Sequence, residues 1–137
     1  MTNGHLRAMA AACAVWAGAA HGAEFHVATG GNDAWSGTLA APDKVKSDGP
    51  FATIERARDA ARALRARNAA PGPVTIRIGP GTFELPRTLA FDVADSGTPA
   101  SPLVIRGAGR GRTLLSGGRA VTHFVARPGG VMEADLA

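Results

Sequence analysis

Cysteine is almost missing from this sequence: of 137 residues only Cys13 carries a thiol, and there is no tyrosine. Cys13 sits inside Ala8 to Ala20, an apolar run that follows Arg7 and precedes the small-residue cluster AAHGAE. That is the layout of a secretory leader, with a positive start, a hydrophobic stretch of about 7 to 15 residues and small residues at the cut. Cleavage after Gly22 or Ala23 is expected, so residues 1–23 read as a signal peptide and the mature chain keeps no thiol. Disulfides and cysteine zinc sites are thereby excluded, and stability has to come from burial. The run also falls short of the about 20 apolar residues that a membrane span needs, so no membrane contact is expected once the leader is gone. Aromatic residues make up only 5% of the chain. With so few stacking platforms, nucleic acid is not an expected partner, although 15 basic residues face 11 acidic ones. Scattered arginines bear on solubility more than on partner choice. The 13 arginines against two lysines, with abundant alanine, fit a GC-rich bacterial genome, and a secreted or periplasmic location is expected.

What is present changes period along the chain. EFHVAT, residues 24–29, alternates apolar and polar positions and reads as a first strand. ATGGNDAWSGT, residues 28–38, follows. Here Asn32 and Asp33 are the candidate metal ligands, for calcium, but the loop lacks the oxygen-rich pattern that the cation wants. The plainer reading is a turn in which Gly30 and Gly31 take unusual φ angles, Asn32, Asp33 and Ser36 bond their own backbone, and Trp35 covers apolar surface. Residues 39–52 read as loop. From Thr53, a plausible N-cap, TIERARDAARALRARN is rich in helix formers, and Ile54, Ala57, Ala61 and Leu64 fall on one stripe. Asn68 and the AAPGP that follows end the helix. Its arginines, Arg56, Arg58, Arg62, Arg65 and Arg67, read as a solvated face, with Glu55–Arg58 and Asp59–Arg62 as pairs three positions apart.

After the helix the period drops to two. Short strands are expected at Val74–Ile78, Thr82–Leu85, Thr88–Val93, Leu103–Arg106, Thr113–Ser116 and Ala120–Phe124. No Asn-Gly or Asp-Gly pair marks a two-residue hairpin. Instead the strands come in threes, and Ile76, Phe83 and Leu89 map onto Ile105, Leu115 and Val121. Recurrence at about 30 residues is the signature of a solenoid coil.

FHVATGGNDAWSGT, DGPFATIERARDAARAL, VTIRIGPGTFELPRTLAF, DSGTPASPLVIRGAG and LLSGG, in that order, resemble the N-terminal region of secreted right-handed parallel β-helix proteins of the pectate-lyase-like superfamily. Within it the likeness is to the bacterial glycoside-hydrolase-like branch. The resemblance implies a mainly β fold that starts a right-handed parallel β-helix of about two coils, plugged by an N-terminal capping helix. Residues 24–137 would be that cap and those coils. It further implies a carbohydrate-active parent, polysaccharide hydrolase or lyase, with a polysaccharide substrate, whose catalytic groups lie on later coils. A non-catalytic surface or adhesion module that binds glycans is the alternative. Two coils with a cap at one end only are expected to be part of a longer solenoid.

No catalytic residue carries over from the resemblance. Asp92 and Asp95 are the weak candidates, because a glycoside hydrolase needs two carboxyl groups roughly 5 to 10 Å apart. Against this, Asp95 and Ser96 suit a backbone-bonding turn closed by Gly97. GAGRGR, residues 107–112, lacks the third glycine and the helix of a dinucleotide site and reads as a corner. His26 and His123 have no neighbouring ligands in sequence, and no Gly-x-Ser-x-Gly elbow exists. No cofactor is expected.

Overall fold

The computed structural model describes residues 22–67 and 72–135. The expected leader, up to residue 21, and the Asn68 helix stop lie outside the described residues. The architecture is mainly β: β1 (Ala23–Val27), β2 (Val74–Ile78), β3 (Gly81–Glu84), β4 (Leu103–Gly107), β5 (Thr113–Ser116), β6 (Val125–Arg127) and β7 (Val131–Glu133) accompany α1 (Ile54–Ala66) and a short 3-10 turn, Val93–Asp95. The sheets are small. β1, β2 and β4 form a parallel three-stranded sheet in that spatial order, β3 and β5 a parallel pair, and β6 and β7 an antiparallel hairpin.

The apolar period of two sets the registers. Phe25, Ile76 and Ile105 lie side by side across the first sheet, as do Ala23, Val74 and Leu103. In the second sheet Phe83 faces Leu115. The 29-residue spacing from Ile76 to Ile105 and the 32-residue spacing from Phe83 to Leu115 are thus real ladder partners. In the first sheet the alternate residues, Glu24 and His26 on β1 and Thr75 and Arg77 on β2, stand between the core positions, and Glu24 forms an ion pair with Arg77.

α1 covers the inner side of β1 and β2. Thr53 is its N-cap, accepting from the Arg56 N–H, and Ile54, Ala57 and Ala61 are buried as their spacing requires. Alanine at two of those three positions lets the helix lie close to the strands. Phe51 seals the junction at 1% exposure, its ring 5.9 Å from that of Phe25 and 4.8 Å beneath the Arg56 guanidinium. Burying such a side chain contributes roughly 1.5–3 kcal/mol.

The two ends of this core differ. The outer edge of β1 is occupied by the chain itself: the N–H groups of His26 and Ala28 donate to the carbonyls of Gly37 and Phe51, and the Phe51 N–H donates to His26. At the opposite end Ile105 is 43% exposed and Leu115 50%, against 0% for Ile76 and 6% for Phe83.

Two expected strands are absent. Residues 88–92 have no regular structure, and Asp92 opens the 3-10 turn that follows. The alternation of Leu89, Phe91 and Val93 imitates a strand, but capping by Asp92 bends the backbone, and Phe91 and Val93 are exposed. Residues 120–124 are likewise irregular. The hairpin 125–133 went unread. Its turn is Pro128-Gly129-Gly130, and both glycines have positive φ, 88° and 79°. Gly-Gly between two short apolar stretches was the available signal.

Candidate functional site

The loop from Ala28 to Thr38 folds back on the start of α1 rather than opening toward a ligand. Asp33 Oδ1 accepts from the backbone N–H groups of Ala52 (2.8 Å) and Thr53 (2.9 Å), and Oδ2 accepts from the Thr53 hydroxyl at 2.7 Å. The Asp33 carbonyl accepts from Arg56 Nε at 3.0 Å. A carboxylate placed on the free N–H groups of a helix start answers both their unmet hydrogen bonds and the positive end of the dipole. Asn32 Oδ1 accepts from the Ala34 N–H, a turn bond. The turn reading describes Asn32, whereas Asp33 bonds no group of its own turn and holds the helix start instead.

The glycines of the loop act differently from expectation. Neither Gly30 nor Gly31 has a positive φ. A Cβ on Gly31 would collide with the carbonyl of Phe51, so its role is close approach. Gly37 has the positive φ, 73°, and a Cβ there would strike the Phe51 ring. Trp35 is half-buried against Gly49 within the same loop, and Phe51 is the residue that covers the core. Ser36 joins the loop to Asp48, whose carboxyl is held below the usual range by the Ser36 N–H and hydroxyl. Ser47 does the same for Asp43.

Asp92 and Asp95 come together, but around an arginine. Arg62 donates from Nε to Asp95 Oδ1 at 2.7 Å and from one terminal nitrogen to Asp95 Oδ2 at 2.5 Å, and the same nitrogen lies 3.1 Å from Asp92 Oδ2. Asp95 also accepts the Asp92 N–H, while Asp92 accepts the Ala94 N–H, which closes a capping box on the 3-10 turn. The Asp95 side chain is only 5% exposed. The Arg62 guanidinium lowers its pKa from the ordinary 3.8, outweighing the opposite pull of burial, and Asp95 in turn raises that of Arg62. A general acid would need the reverse shift.

Arg62 does not act alone. Arg58 donates to the Ala90 carbonyl at 2.6 Å, and Arg65 to the carbonyls of Asp95 at 2.8 Å and Ser101 at 3.2 Å. Three arginines on successive turns thus clamp the segment 90–101 onto the helix. The solvated face and the pairs three apart are corrected accordingly: Arg58 bonds its neighbour Asp59 rather than Glu55, and Arg62 turns to Asp95 and Asp92. The spacing of 58, 62 and 65 was a readable stripe; its acceptors, three of them backbone carbonyls, left no sequence signal.

The remaining candidates stay apart. His26 lies 3.3 Å from Glu24 on β1, and His123 bonds Thr122 in the irregular segment. No group of three or more His, Cys, Asp or Glu residues could hold a metal ion among the described residues. GAGRGR forms the corner between β4 and β5, where the Arg112 N–H donates to Gly109 and its carbonyl accepts from Gly81. Among the described residues no helix is long and apolar enough to cross a membrane. A cleft of about 380 Å³ runs between the start of α1 and β3, lined by Thr29, Glu55, Thr82 and Arg87 among others.

With this geometry in place, comparison with known proteins adds one likeness. A solved structure described as a glycoside hydrolase superposes with a TM-score of 0.65 at 29% sequence identity, over 77% of this chain. The chain spans 17% of that protein's length. No family model and no curated protein matches the sequence.

Proposed function

We propose that this chain is the N-terminal cap and first coils of a right-handed parallel β-helix in a secreted or periplasmic carbohydrate-active protein, a polysaccharide hydrolase or lyase. In this reading residues 24–137 are structural, and the catalytic groups lie on later coils stacked against β4 and β5. The likeness to a glycoside hydrolase is the observation that carries it. Two features support the division of labour. Parallel pairing at steps of 29 and 32 residues is what successive coils of a solenoid require. The two candidate carboxylates, Asp92 and Asp95, are committed to Arg62 and to a capping box, with Asp95 ionised and enclosed.

Reducing-sugar and unsaturated-product assays of the 137-residue chain on plant and bacterial polysaccharides test the placement. No turnover is expected from this chain, whereas the protein bearing further coils turns over a polysaccharide. Activity in the 137-residue chain that is lost in Asp95→Asn would overturn the structural role.

A further inference from the structure

We infer that the cleft between the start of α1 and β3 is a sugar-binding subsite, taking a single neutral pyranose residue through its hydroxyl groups. This goes beyond the proposed function, which gives the cap no ligand. The volume, about 380 Å³, lies within the roughly 300–1,000 Å³ of small-molecule sites. Four of its polar side chains hold unspent hydrogen-bonding capacity. Glu55 Oε1 is buried and has no partner, and a buried carboxylate oxygen without a donor is costly unless something supplies one. Arg87, Thr29 and Thr82 line the same cleft and have no side-chain hydrogen bond or ion pair among the described residues.

The set matches a polyol. A carboxylate accepts from hydroxyls, a guanidinium offers five donors and no acceptor, and a threonine hydroxyl does either, so a ring of alternating hydroxyl donors and acceptors satisfies all four at once. A cation fits less well, because Asp33, which also lines the cleft, spends both oxygens on the helix start, and the described residues hold no metal-ligating group. An aromatic ligand fits no better, since Phe83 is 6% exposed and offers no open ring face.

The test is amide chemical-shift mapping of the 137-residue chain titrated with D-galactose, D-xylose and L-rhamnose, with glycerol and D-galacturonate as comparisons. At least one neutral pyranose is expected to shift amides around Thr29, Glu55, Thr82 and Arg87, and saturation transfer to its ring protons is expected to accompany the shift. Affinity should fall about tenfold in Glu55→Gln and in Arg87→Ala. Arg87 is exposed and outside the core, so R87A keeps the fold and the comparison remains valid if E55Q unfolds. No shift with any pyranose, shifts elsewhere, equal shifts from glycerol, or unchanged affinity in R87A would each overturn the subsite. Polysaccharide turnover by the protein bearing further coils is read separately, so a silent cleft with intact turnover rejects the subsite and leaves the proposed function standing.

Discussion

Asp33 ties its loop to the helix, because one carboxylate closes three donors at the start of α1. Asp33→Ala is expected to cost about 2 kcal/mol in chemical denaturation, whereas Asn32→Ala, which loses one turn bond, should cost under about 1 kcal/mol. Asp95→Asn weakens a paired, enclosed charge. Arg62 keeps Asp92 and some solvent, so a loss of about 2–3 kcal/mol is expected, less than the about 3–5 kcal/mol of a fully buried broken pair. Its pH signature has a definite sign. The carboxyl stays ionised to lower pH in the folded protein than in the unfolded chain, so the stabilisation is complete above the ordinary value of 3.8 and is lost as pH falls through the lower folded value. Acid titration of stability should therefore be shallower in Asp95→Asn than in the parent. At this scale the sequence identified turn chemistry but not partners: Asp33 reaches 20 positions ahead to Thr53, and Arg62 reaches 33 ahead to Asp95. Such pairings depend on where the strands carry the loops, and no local period encodes them.

α1 shows what periodicity can and cannot deliver. Its N-cap and its buried stripe of Ile54, Ala57 and Ala61 were readable, because helix spacing and the need to bury apolar groups act within a few turns. The small side chain at Ala57, which has no exposure, fixes how closely the helix approaches β1 and β2. Ala57→Leu should overpack that contact and lower stability by about 1–3 kcal/mol, seen as a lower Tm with helix content retained. β2 to β5 and their registers were readable for the same reason, as alternation repeats at a near-constant step. Thr88–Val93 misled because the same alternation occurs where Asp92 and the arginine clamp dictate the backbone. The 125–133 hairpin carries no Asn-Gly or Asp-Gly mark, and its turn rests instead on the positive φ of Gly129 and Gly130.

For the molecule as a whole, the decisive fact is that one end of the core is covered and the other is exposed. Phe51 and the loop at 31–37 close the β1 side, whereas β4 and β5 have no further strand partner among the described residues and lie beside the exposed Ile105, Leu114 and Leu115. Open parallel edges with apolar side chains recruit further strands. Light scattering on the 137-residue chain should show oligomers that grow with concentration, and Ile105→Lys should shift the population toward monomer; a concentration-independent monomer would contradict this. The order of pairing also has a kinetic side. Ala23 meets Val74, 51 positions later, whereas Val74 meets Leu103 after 29. Closing the first, longer loop costs only about 0.5 kcal/mol more in chain entropy, since that cost grows with the logarithm of length. The helix inserted between β1 and β2 is therefore a cheap addition to the loop that their pairing has to close.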